Sequence, residues 1–378
     1  VFNRNFLSIL RHSRLNKKGK IIIMTGRERL LCALHHQEPD MVPIFECNYS
    51  RPLFQEVLGY VPETFDPVNV FTCSAKIGYD FAFIPIPGIC GFRPKGITTE
   101  VYTDEWGITY KITPQTWPID AGIKPPCSSA EDWNDYVMPD PDADFRYEDL
   151  AKVMEMSREN GMGVVGNIRG PYSAAWPLFG MEEFSVMFYE DPDVVEEALT
   201  ATADFAIACM RRMARMGVDA VLFSDDYGSS IQPLMSPALF RQFILPQLQR
   251  IRKACDEENC IMLLHCDGHI TQLMPDIAAS GIDGLHPIER ASGMDLGQVK
   301  AEYGKQMCLF GNVDNKHTLT KGTPKDVEEA VKECIRTAAP GGGYCLSSDH
   351  SVHDDIPNEN VFALYEAGRR YGRYPISI

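Results

Sequence analysis

Ile261-Met262-Leu263-Leu264-His265-Cys266-Asp267-Gly268-His269 reads as a buried strand that ends abruptly in metal-capable groups. Side chains alternate between the faces of a strand, so residues two apart point the same way. His265 and Asp267 therefore share one face, and Cys266 turns to the other as a packing residue. Gly268 frees the chain to turn sharply at the strand end. His269 lies past that turn, at a helix start or behind the ligands it would support.

On either side of this stretch a local pattern recurs. Gly78-Tyr79-Asp80, Gly217-Val218-Asp219 and Gly281-Ile282-Asp283 each come after a helix-like segment and precede an apolar run. Glycine is favoured just past a helix C-terminus, so each copy reads as helix, stop, strand. On that basis eight strands are expected, over 42–47, 80–87, 162–168, 219–226, 261–268, 284–289, 308–314 and 344–350. The helical segment at 194–216 is the clearest, with Asp191 placed to cap it, Pro192 at its first position and an apolar stripe from Val195 to Met213. Ser236-Pro237 opens the next helix, which Pro246 should kink or end. Strands alternating with helices imply a parallel sheet, and eight such units imply a single α/β domain, a (β/α)8 TIM barrel. One region breaks the rhythm. Thr98–Tyr102 and Ile108–Ile112 flank a turn at Asp104–Gly107, which reads as a β-hairpin inserted after the second strand. A long excursion of this kind is either a lid over the barrel mouth or a packed surface feature.

Composition narrows the function classes. The chain has 378 residues and a formal net charge of −16, a balance that disfavours nucleic acid or an anionic membrane as partner. No apolar run approaches the ~20 residues of a membrane span. Twelve cysteines are scattered in apolar stretches such as Ala208-Cys209-Met210, which reads as reduced thiols of a cytoplasmic protein. Residues 1–23 carry Arg4, Arg11, Arg14, Lys17, Lys18 and Lys20 and no acid. Met24 then precedes Thr25-Gly26-Arg27-Glu28, a capping box that opens a helix. The expected division is a basic extension over 1–23, outside the core, and one catalytic domain over 24–378.

Barrel enzymes place their chemistry at the C-terminal strand ends. Here those ends carry Glu46 and Asn48, Asn167 and Arg169, Ser224, Asp225 and Asp226, His265 and Asp267, His286 and Glu289, Asn312 and Asp314, and Asp349 and His350. A lone polar residue at such a place is ordinary loop. Polar groups at nearly every end are costly without a function. His265, Asp267, Glu289 and His350 offer imidazole and carboxylate donors. Such a set suits catalytic zinc with three protein ligands and an open position, and two histidines with one carboxylate also suit ferrous iron.

From Met24 to Pro375 the order of motifs resembles the uroporphyrinogen decarboxylase superfamily. The resemblance rests on Arg27-Glu28-Arg29-Leu30 through Glu38-Pro39-Asp40-Met41-Val42-Pro43, on Asp191-Pro192, Phe223–Gly228, Ser236-Pro237 and Gly311-Asn312-Val313-Asp314, and on Pro357 through Asn360. It implies a (β/α)8 barrel and one of two chemistries. The decarboxylases carry an arginine-rich motif after the first strand; this chain has Pro43-Ile44-Phe45-Glu46-Cys47-Asn48-Tyr49-Ser50-Arg51-Pro52 there, with only Arg51. The corrinoid-dependent methyltransferases that act on thiols bind zinc through a His-x-Cys pair and a later cysteine. Here His265-Cys266-Asp267 and Asp349-His350-Ser351 put Asp267 and His350 at the cysteine positions. A harder N/O site fits an ether or an amine. The resemblance thus implies a methyltransferase of O-demethylase or methylamine type, moving a methyl group from a small O-methyl or N-methyl donor to the cobalt of a corrinoid protein. The alternative is decarboxylation of uroporphyrinogen or a smaller acid. On this reading His265, Asp267 and His350 hold zinc. Asp225, Asp226 and Glu289 act in catalysis, Glu289 doubling as an alternate ligand, while Glu46, Asn48, Asn167, Arg169 and Asn312 contact substrate. The expected partners are a corrinoid protein carrying cobalamin and a small methylated substrate, and a homodimer stays open beside a monomer.

Overall fold

The computed structural model describes residues 23–88 and 91–378. The basic segment thus falls, except for Ile23, outside the described residues.

Seven strands form one parallel sheet: β1 (Phe81–Pro85), β5 (Gly163–Arg169), β6 (Ala220–Ser224), β7 (Met262–His265), β8 (Gly284–His286), β9 (Cys308–Val313) and β10 (Tyr344–Ser348), hydrogen-bonded in that order. Three further strands, β2 (Val101–Thr103), β3 (Thr109–Lys111) and β4 (Ala121–Lys124), make a small antiparallel sheet between β1 and β5 in sequence. The turn between β2 and β3 is tied by Asp104, whose carboxylate accepts the N–H groups of Trp106 and Ile108. This excursion has a core of its own. Tyr102, Trp106, Ile108 and Tyr110 are buried, and Arg146 is clamped between Glu105 and the Pro87 carbonyl.

The eighth strand position differs from expectation. Residues 42–47 form no regular strand; they touch the sheet through single bridges, Ile44 beside Leu346 and Asn48 beside Val352. Yet they join its two edges. The Leu346 N–H reaches the Pro43 carbonyl at 2.8 Å, Phe45 returns a bond to Leu346, and the Asp80 N–H reaches the Ile44 carbonyl at 2.9 Å. The seam is closed by a side chain where a ladder would otherwise run. Asp80, 1% exposed, accepts the Ile44 N–H at 2.8 Å and pairs with Arg29 at 2.8 Å and Arg369 at 3.0 Å.

The same device recurs at the other two copies of the glycine-x-aspartate pattern. Asp219 accepts the Val164 N–H and pairs with Arg27; Asp283 accepts the Met262 N–H and pairs with Arg252. In each copy the glycine closes the preceding helix at positive φ, 97° at Gly78, 93° at Gly217 and 82° at Gly281. The aspartate then fixes the start of the neighbouring strand.

Alternation along the strands sorts the core into two. Phe45, Phe81, Phe83, Val165, Ala220, Leu222, Leu263, Cys308, Phe310 and Cys345 form an inner cluster. Their neighbours Ile44, Ala82, Ile84, Val164, Val221, Phe223, Met262, Leu264, Leu309 and Leu346 face the outer layer of helices. The inner cluster is plugged from below by the first helix, Gly26–Leu34, opened by the Thr25/Glu28 capping box and contributing Leu30, Ala33 and Leu34. Outside, Pro192–Met216 is the longest helix; Asp191 stands at its N-cap but makes no side-chain cap bond. Pro246 does not end its helix but marks a break in its regularity. A π-helical stretch, Phe240–Ile244, precedes it, and the α-helix Leu245–Glu258 runs on with the proline in its first turn, where the missing N–H costs nothing.

Replacing Asp80 leaves two arginines facing a buried gap and the Ile44 N–H without an acceptor. Breaking a buried ion pair from one side costs about 3–5 kcal/mol. Asp80→Ala is expected to lower the urea midpoint by the equivalent of about 3 kcal/mol, whereas Asp193→Ala at an exposed helix start should change it by less than about 0.5 kcal/mol.

Candidate metal centre

In-register pairing carries one row of polar groups across the sheet. Arg169 lies beside Ser224, Ser224 beside His265, and His265 beside His286. Val165, Leu222 and Leu263 fix these positions on the inner face, since each lies an even number of residues below them. Asn167 belongs to the same face and donates to Ser224 Oγ at 3.0 Å.

Above the row, Asp267 is the centre. Its Oδ2 lies 3.3 Å from His265 Nε2 and 3.1 Å from His350 Nε2, while His265 Nε2 lies 3.7 Å from Asp226 Oδ1. Burial alone would raise the Asp267 carboxyl, but His265 and His350 hold it well below the usual range. Burial also works against charge on His265, and Asp267 and Asp226 outweigh it, so that histidine titrates above its ordinary value. The attraction of Asp267, opposed by burial, raises His350 to about 9. Asp226, His265 and Asp267 each offer a donor atom within 4.8 Å of the others, a group able to hold a metal ion. The fit has a second support. Asp267 Oδ1 is buried and has no hydrogen-bond partner among the described residues. Protons on two imidazoles now bridge to a carboxylate that a divalent cation would hold instead.

The geometry adds one residue to those the sequence offered as ligands. Asp226, placed among the catalytic groups by sequence, stands with His265 and Asp267, and its Oδ1 also accepts the Asp267 N–H. His350 reaches the cluster through Asp267 and is half exposed. Glu289 binds the Gly268 N–H at 2.6 Å and so holds the turn just past Asp267.

Other expected site residues are committed to the wall. Asp225 points outward, accepting from Ser173 N–H, Tyr172 N–H and Tyr227 O–H, and burial lifts its carboxyl to about 7. Asn312 donates to the Ile288 carbonyl and accepts from the Cys334 thiol of the outer helix Pro324–Ala338. Glu46 and Asn48 are both buried, whereas Cys47 and Tyr49 are partly open. The cause is the phase of that irregular segment. Phe45 and Cys47 pack on the inner cluster, so Glu46 and Asn48 turn away from the axis. Glu46 spends both oxygens on Ser348, at 2.6 Å to its N–H and 2.6 Å to its hydroxyl. Asn48 has no hydrogen bond for its amide among the described residues. Cys47 and Tyr49, whose ionisation feels the charge of Asp267, are the mouth-facing residues that sequence reasoning missed. Carrying the alternation upward from Phe45 would have found them. Cys266 does face outward: its sulfur accepts the Tyr227 N–H at 3.2 Å and it belongs to the outer core.

The small antiparallel sheet reaches this end of the barrel. A cleft of about 300 Å³ is lined by Tyr110 and Ile119 of the excursion, by Trp176 and Pro177, and by Arg169. No helix of the described residues is long and apolar enough to cross a membrane.

Comparison with known proteins agrees with this architecture. The family described as uroporphyrinogen decarboxylase (URO-D) matches residues 99–371. A methylcobamide:CoM methyltransferase MtaA of Methanosarcina barkeri is 29% identical over 208 residues, 55% of this chain and 58% of that protein. The alignment thus spans a little over half of that relative. A uroporphyrinogen decarboxylase of Coxiella burnetii is 26% identical over 365 residues, 91% of this chain and 95% of the relative. A solved methyltransferase from Methanosarcina mazei superposes with a TM-score of 0.71 at 22% identity, covering 92% of this chain and 99% of that one.

Burial raises Glu46 from 4.5 to about 8. The folded state therefore holds a proton there that the unfolded chain has released. The stability this contributes is complete below pH ~4.5 and is lost as pH rises through about 8. Glu46→Gln keeps both bonds to Ser348 without the titration. Its stability should exceed that of the wild type increasingly from pH 5 to pH 8.5, measured as urea midpoints; parallel curves would show that Glu46 is ionised throughout.

Proposed function

The chain belongs to the uroporphyrinogen decarboxylase family, and we propose that within it this protein is a corrinoid-dependent methyltransferase built on a (β/α)8 barrel, its first strand the irregular segment 42–47. The donor is a small O-methyl or N-methyl compound, and the acceptor is the cobalt of a separate corrinoid protein. The observation that carries the reading is the convergence of Asp226, His265 and Asp267, with His350 against Asp267, at the mouth end of the inner row. A decarboxylase site for a polycarboxylate calls for cations, and this cluster is built of acids and imidazoles, with Arg169 two strands along the same row. That charge pattern disfavours uroporphyrinogen.

His265, Asp267 and Asp226 would hold zinc, with His350 as the exchangeable fourth group. A zinc ion there would supply Lewis acidity to the oxygen or nitrogen that loses its methyl group. The chain's own residues do the rest. Asp267 holds His350 at the site, its Nε2 3.1 Å from the carboxylate and within reach of that fourth position. Arg169 and Tyr49 border the space a donor would fill, and the Phe65 and Phe92 rings against Tyr49 exclude water from that side. Glu289 holds the Gly268 turn so that Asp267 cannot swing away.

The test is direct. Purified protein mixed anaerobically with cob(I)alamin and a panel of methoxyaromatics and methylamines should methylate cobalt with at least one donor, read from the visible spectrum. Metal analysis should return one zinc per chain, and His265→Ala should lose both metal and methylation. Coproporphyrinogen formed from uroporphyrinogen, with no cobalt methylated, would assign the decarboxylase reaction instead. We also take residues 24–378 as the catalytic domain, so removal of residues 1–23 should leave the thermal midpoint within about 1 °C, less than the ~1.3 °C that 1 kcal/mol brings in a domain of this length.

A further inference from the structure

The register that sets His265 beside His286 brings two imidazoles together on the inner face. Gly284 permits the close approach: a Cβ there would meet Leu263 at 2.8 Å and Phe310 at 2.9 Å. The rings stack with centroids 4.9 Å apart and planes 28° apart, and their Nδ1 atoms lie 2.7 Å from each other. Two ring nitrogens at that distance share one proton. With none the lone pairs repel, and with two the N–H groups do. The tautomer of one ring therefore dictates that of the other.

The surroundings decide which ring donates. His265 turns Nε2 toward Asp267 and Asp226. His286 is 2% exposed, and its ring is walled by Phe45, Phe83 and Phe310 at 5.4, 5.3 and 6.5 Å. A ring shut in by three phenyl groups is costly to charge, so the single shared proton belongs on the ring that faces the carboxylates. With its own proton on Nε2, His286 accepts at Nδ1, and His265 keeps a proton on Nδ1 whether its Nε2 is protonated or bound.

We propose that His286 is a positioning residue that accepts the His265 Nδ1–H and so presents the His265 Nε2 lone pair to a metal ion between Asp226 and Asp267. The inference rests on the reading of His265 as a ligand. It goes beyond that reading by assigning the group behind the ligand, which in most metal sites is a carboxylate or a backbone carbonyl. A neutral imidazole orients His265 without adding a third negative charge to a site that already holds two carboxylates.

The experiment compares the full-length wild type with His286→Phe and His286→Asn. Phenylalanine keeps the aromatic wall and removes the acceptor; asparagine returns an oxygen near the Nδ1 position. Histidine-selective ¹⁵N spectra of metal-free protein, assigned with His265→Asn, report the His265 tautomer. Zinc affinity is read by competition with a chromophoric chelator. Wild-type His265 should carry a proton on Nδ1 at every pH, with or without a second on Nε2. His286→Phe should lose that preference and bind zinc roughly 10–100-fold more weakly, and His286→Asn should recover most of the affinity. A folded His286→Phe with wild-type zinc affinity overturns the proposal. If it does not fold, the wild-type spectrum and His286→Asn still decide: zinc bound by a protein whose metal-free His265 has no proton on Nδ1 overturns the positioning role alone. A wild type with the expected tautomer that takes up no zinc overturns the ligand reading, and the purpose assigned to His286 with it.

Discussion

A carboxylate that accepts a backbone N–H at the start of a neighbouring strand or segment while an arginine neutralises it is the constraint on which this barrel depends. It occurs at Asp80, Asp219 and Asp283, always after a glycine that stops a helix. The strand starts are thereby pinned, and in a parallel sheet pinned starts mean pinned register. Everything at the opposite end inherits that register. A slip of one residue would turn every inward side chain to the outer layer. His265 would then face the helices, and Cys266 would occupy the mouth. The Asp80 clamp has the heaviest duty, because residues 42–47 lack a ladder of their own and the seam between β10 and β1 relies on it.

Much of this was legible in the sequence, and the reasons differ from place to place. The glycine-x-aspartate pattern announced helix, stop and strand, and seven of the eight strands lie where it put them. The aspartates themselves were silent, since nothing local says which backbone N–H a side chain will meet. Alternation from Leu263 oriented His265, Asp267 and Cys266, because a regular strand carries its phase forward. It failed at Glu46 and Asn48, where the segment is irregular and its phase is set only by packing of Phe45 against Phe81 and Phe83. The same parity separates Asp226 from its neighbour Asp225, two residues that composition treats alike. His286 was visible as a strand end, but its pairing with His265 is a property of register between strands.

At the mouth, charges of opposite sign are packed closely. Asp267 sits between two imidazoles, Asp226 borders one of them, and no lysine stands in the cluster among the described residues. Such a set is poorly satisfied by its own members. Asp267 Oδ1 has no hydrogen-bond partner among the described residues, and the two histidines compete for Oδ2. A protein interior tolerates that arrangement where a cation completes it. The wall behind is the opposite in character: Asp225, Glu46 and Asn312 are buried polar groups, each fully engaged with backbone or hydroxyl partners, and they hold shape.

The plug formed by Leu30, Ala33 and Leu34 has a consequence for traffic. It seals the axis from below, so the row from Arg169 to His286 has one doorway. On the proposed methyl transfer, a small donor and a protein-borne acceptor would have to share that opening. The large partner would stop at the threshold, above whatever is already inside. Turnover would then run in one order: the small molecule first, the large one closing the door behind it, and the demethylated remnant leaving only after the large one steps back.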